Sequence, residues 1–145
     1  MYRFTQDPQR GSVPGWTRLI TVAIVGLLAV GCSDALTDPF AEFQPEVTNQ
    51  TDSFAFQASN ISGLTGSVDY EWEHTGTTAN VDQSTVVSAG TATVTILDAD
   101  GTTVYTRNLA DDGTFPTDAG VAGTWIIRIA VSNMDGTVNF RVQKP

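Results

Sequence analysis

Thiols and basic side chains are scarce in this chain. Cys32, His74 and Lys144 are each the sole residue of their type among 145. A lone cysteine excludes an intramolecular disulfide and any thiolate cluster for a metal. A lone histidine excludes every scheme that needs two imidazoles. Lys and Arg number 7 against 16 Asp and Glu, a formal charge of −9. From residue 32 onward four cations face fifteen acids, a formal −11. Such a surface repels phosphate backbones, so nucleic acid is dropped as a partner, and it repels anionic headgroups too. The chain also lacks an uninterrupted run of about 20 apolar residues, the length needed to span a bilayer. After residue 50 no stretch carries a helical apolar period, and the abundance of threonine and valine argues against one. No Gly-x-Ser-x-Gly elbow marks a serine nucleophile.

What is present begins with an export segment. Arg3, Arg10 and Arg18 precede a twelve-residue apolar run, Leu19 to Val30, broken only by Thr21 and Gly26. A basic leader, an apolar run of about 7–15 residues and small residues at the cut are the parts of a secretory signal. The run ends in Leu28-Ala29-Val30-Gly31-Cys32, which resembles the lipidation signal of bacterial lipoproteins. The resemblance implies that residues 1–31 are a signal peptide, that cleavage falls before Cys32, and that acyl chains such as palmitate on Cys32 hold the protein on a membrane. One acyl chain binds a bilayer only marginally, with K of roughly 10⁴ M⁻¹; the family carries a diacylglyceryl group and often a third chain. Ser33 follows the cysteine in place of the aspartate that retains lipoproteins at the inner membrane in some bacteria. Outer-membrane or cell-surface placement is therefore implied.

Residues 32–50 read as a flexible acidic tether, with Pro39 and Pro45 and no sustained periodicity. Phe40, Phe43 and Val47 are its only residues suited to docking on a folded domain. Residues 51–145 read as that domain. Gly-Thr recurs at 76–77, 90–91, 101–102, 113–114, 123–124 and 136–137, the spacing of turns in an all-β fold. Between these points the apolar residues alternate. Phe54, Phe56 and Ala58 share one face; Val68, Tyr70, Trp72 and His74 share another, with Asp69, Glu71 and Glu73 opposite. Trp125, Ile127, Ile129 and Val131 form the strongest stripe. Ile126 and Ala130 on its reverse mark that strand as central, and Val138, Phe140 and Val142 follow. Asp98 to Gly101 and Asn133 to Gly136 read as turns. The expected fold is a small antiparallel two-sheet β-sandwich of about seven or eight strands, with a small barrel as the alternative. Residues 85–145 also resemble bacterial pre-peptidase C-terminal-like β-sandwich modules. The shared elements are the strand Ala92-Thr-Val-Thr-Ile-Leu97, a glycine turn, Ala122-Gly-Thr-Trp-Ile-Ile-Arg128 and Gly136-Thr-Val-Asn-Phe-Arg-Val142. That resemblance implies a non-catalytic accessory or binding module.

Four sets of residues are candidates for chemistry or binding. His74 with a serine and an aspartate would make a hydrolase, yet a strand-end histidine beside the Gly76 turn is the more economical reading. Glu71 and Glu73 stand two apart on one strand face, roughly 6.5–7 Å along the backbone, a spacing open to a glycosidase pair. Two carboxylates in one solvated environment do not acquire the separated pKa values that acid and base need. Together with Asp69 they make instead the best-marked patch for an envelope protein partner. Asp98 and Asp100, with Asp111 and Asp112, place carboxylates at turns where calcium is possible, although Asp-Gly is also ordinary hairpin chemistry and the distal glutamate of a calcium loop is missing. Tyr105 and Phe115 are the aromatics expected at the surface, where they would stack on a glycan. No cofactor is otherwise implied, and the chain reads as a binding or structural protein rather than an enzyme.

Overall fold

The computed structural model describes residues 38–145; the expected export segment, Cys32 and Ser33 lie outside the described residues. A 3₁₀ turn, Ala41–Phe43, precedes seven strands: β1 (Glu46–Gln50), β2 (Ser53–His74), β3 (Asn80–Gln83), β4 (Val86–Leu97), β5 (Thr103–Asn108), β6 (Gly113–Pro116) and β7 (Gly123–Gln143). Every pairing is antiparallel.

Two strands are far longer than the usual five or six residues. β2 and β7 pair along almost their whole length, from Ser53↔Gln143 to His74↔Gly123. The ladder slips between Ala58 and Gly66 of β2, opposite Val131 to Val138 of β7. Beside it, β4 slips between Val87 and Thr91. Asn60, Gly63, Asn133, Gly136 and Gly90 take positive φ along this line, as bulges require. Three neighbouring strands therefore bend together and fold one sheet into two layers. One layer holds β1, the first half of β2, the second half of β7, β3 and β6; the other holds the second half of β2, the first half of β7, β4 and β5. The ends do not join, which makes this a sandwich and overturns the barrel alternative.

The period-2 pattern holds on both sides of the bend. Phe54, Phe56, Val81, Phe140 and Val142 of one layer are buried against Trp72, Val94, Ile96, Trp125, Ile127 and Ile129 of the other. Tyr70, on the second half of β2, lies 5.4 Å from Phe54 on the first half, ring centroid to centroid, so the folded-back strand packs on itself.

Two expectations need correction. Asn133 to Gly136 is not a hairpin turn but the bend within β7. Residues 38–50, expected to be tether, also belong to the fold. Glu46–Gln50 adds to β2 as an edge strand, and Phe40 is fully buried, edge-on to Phe56 at 5.1 Å. The folded part thus takes in residues from 38 onward. An aromatic between two prolines in an acidic stretch reads as linker because its partners lie in other strands.

Candidate functional site

His74 ends β2 between two indoles. Trp72 stacks on it at 4.6 Å and Trp125 meets it edge-on at 4.4 Å. Its Nδ1 lies 3.1 Å from Asp52 Oδ1 and its Nε2 lies 3.0 Å from the Thr78 carbonyl. Both ring nitrogens therefore face acceptors, and the ring is buried. Asp52, at positive φ in the turn from β1 to β2, also accepts from the Thr75 backbone N–H and hydroxyl, both at 2.7 Å. Lys144 Nζ stands 3.7 Å from its other oxygen. These bonds, from Thr75 above all, hold the Asp52 carboxyl at about 2, well below its ordinary 3.8. The constellation has the parts of a dyad without its function: no lone pair of the ring is turned toward solvent or toward a hydroxyl. His74 is therefore not presented to a substrate as the general base that the hydrolase alternative assigned to it.

Glu71 and Glu73 lie on the outward face of β2 with Asp69, as alternation requires. Asp69 does not stand free. It faces Arg128 across the ladder and accepts two bonds from the guanidinium, at 2.8 and 2.6 Å. That bidentate contact holds Asp69 below the usual carboxylate range and raises Arg128. Glu73 accepts from the Thr124 hydroxyl. The expected patch is therefore part acid and part ion pair.

The turn carboxylates do not assemble. Asp98 is buried and spends both oxygens on backbone N–H groups: Oδ1 on Asp100 and Thr102, Oδ2 on Val121. These donors, Val121 first, lower its pKa. Asp100 and Asp112 are exposed, and Asp111 pairs with Arg107 at 3.4 Å. Among the described residues no three of His, Cys, Asp and Glu come together as a metal site would need.

Of the two expected surface aromatics, one is buried and the other half-buried. Tyr105 is buried, and its hydroxyl donates to Gln83 Oε1 at 2.6 Å, from β5 in one layer to β3 in the other. Burial pushes its pKa up. Phe115 lies in β6 rather than in a loop, packs on the core, and is covered by the Arg107 guanidinium 3.8 Å above its ring. Tyr105 failed as a surface residue because β5 is short and the extra residue it carries between Thr103 and Tyr105, opposite Ile96/Leu97 of β4, breaks the alternation. Gln83, the buried amide that receives it and that donates to the Asn108 and Asp111 carbonyls, left no sequence signal. Asp52 left only a weak one, in the polar stretch Gln50-Thr51-Asp52-Ser53 just before the alternating run that starts at Phe54.

All four cations from residue 38 on are matched by acids: Arg107 by Asp111, Arg128 by Asp69, Arg141 by Asp82 and Lys144 by Asp52. Beside the Asp69–Arg128 pair lies an open depression of about 520 Å³, lined by Asp38, Ser67, Val68, Asp69, Arg128 and Ala130. Fold and site together define an acidic, two-layer antiparallel β-sandwich. No protein-family model matches the chain, and no curated protein is significantly similar to it.

Proposed function

We propose that this chain is an exported lipoprotein of the bacterial cell envelope, anchored through acyl chains on Cys32, whose β-sandwich is a non-catalytic binding or structural module. The observation that favours a non-catalytic role is the state of His74. It is the chain's one imidazole, and both its nitrogens are committed inside the fold. The anchor rests on the apolar run and the Gly31-Cys32 junction. An outer-membrane or surface location follows from Ser33 on the same footing. Loss of Tyr105 and Phe115 as a platform favours an envelope protein over a glycan as partner. Intact mass of the membrane-extracted protein, wild type against Cys32→Ala, tests the proposal. A product beginning at Cys32 with added acyl mass, absent from the variant, is expected; an unlipidated wild-type product would refute the anchor.

A further inference from the structure

The second half of β2 is an outer strand of its layer, bonded to β7 on one side. Its other side can be read from two bonds. The Glu71 carbonyl accepts from the Asn49 side chain, and the Glu73 carbonyl accepts from the Asp52 N–H. In an antiparallel ladder the groups aimed at one side recur every second residue. Ser67, Asp69 and Glu71 therefore aim their main-chain N–H groups away from β7, as do Ser67 and Asp69 their carbonyls. Among the described residues none of these has a backbone partner. The open stretch spans about 13 Å at some 3.3 Å per residue, and the depression lined by Asp38, Ser67, Val68 and Asp69 runs beside it. Pro39 packs against Gly66 at one end of the stretch, but Ser67 to Glu71 itself contains neither the proline nor the lysine that usually protects an exposed edge.

We propose that this edge is a docking site for an extended, basic segment of another protein, which adds to the layer as a further strand. The open ladder makes the site, and charge selects the occupant. Asp38, Asp69, Glu71 and Glu73 flank the edge, and the neighbouring cation Arg128 is already bound to Asp69. A second copy pairing through the same edge would set these acids against themselves, which is destabilising. A cationic strand would set lysine or arginine opposite them. This gives a partner class to the module proposed above and is independent of the anchor, so failure at Cys32 leaves it standing and its own failure leaves the anchor untouched.

Residue-resolved amide exchange on the full chain in nonionic detergent tests it, with the capped peptide Lys-Val-Lys-Val-Lys as probe. The Ser67 and Asp69 amides of the free protein are expected to exchange far faster than those of Val68 and Tyr70, and to slow by roughly tenfold or more with peptide bound. Glu71→Lys, or the neutral peptide Gln-Val-Gln-Val-Gln, is expected to weaken binding by roughly tenfold. Protection already present without peptide would overturn the proposal: dependence on protein concentration would assign the edge to a second copy, and independence to the chain's own residues before Asp38. No added protection, or equal binding of both peptides, would overturn it as well.

Discussion

At the scale of single residues, Asp52 ties three segments together. Its carboxylate holds the His74 ring, the Thr75 backbone and hydroxyl, and approaches Lys144 beyond the end of β7. Its folded pKa is about 2 against 3.8 for the free side chain, so the folded chain binds its proton less readily than the unfolded chain. The stabilisation is complete above pH 3.8 and is lost as the pH falls toward 2. Urea midpoints measured from pH 5 to pH 2 are expected to fall steeply across that window, and less steeply in Asp52→Asn. Asp98, also lowered, adds to the slope in both proteins. Because its oxygens are taken by N–H groups, millimolar calcium and a chelator are both expected to leave the melting temperature unchanged; a rise of several degrees with calcium would contradict this. Asp98 was legible as a turn residue because an Asx turn is a local event. The Asp52–His74 contact joins residues 22 apart and needed the fold.

At the scale of elements, the Gly-Thr pairs show how far local chemistry reaches. Glycine at positive φ marks either a turn between strands or a bulge within one, and sequence alone does not separate the two. Gly101 sits in the β4–β5 turn, whereas Gly90 and Gly136 lie inside strands that continue past them. A Cβ at Gly136 would overlap the Val86 carbonyl, and one at Gly90 the carbonyls of Ser132 and Asn133. Gly136→Ala and Gly90→Ala are therefore each expected to cost more than the ~1 kcal/mol typical of a point substitution, by chemical denaturation. Gly63, equally positive in φ but with open space around it, is expected to cost less. The segment before β1 makes a sharper test. Phe40→Ala is expected to destabilise the domain by about 3–5 kcal/mol, as for a buried aromatic in a core; no effect would return residues 38–45 to the tether.

At the scale of the whole molecule, a net negative surface on which the cations among the described residues are all paired with acids leaves little to attract an anion and much to attract a cation. Binding of the basic peptide is accordingly expected to weaken as salt rises from 50 to 500 mM, measured by the same exchange experiment. A salt-independent affinity would place the contact in apolar packing instead. The sequence by itself determined the all-β class, the inward stripes at Trp72 and Trp125, the outward acids and the acidic balance, because alternation and turn residues act within a few positions. Only the tertiary structure decided that two strand pairs were two long bent strands, that Phe40 belonged to the core, that Tyr105 and Phe115 were covered, and that Asp69 was spoken for. Each of those outcomes depends on which distant strand lies alongside, and non-local pairing leaves no periodic trace in the residues it joins.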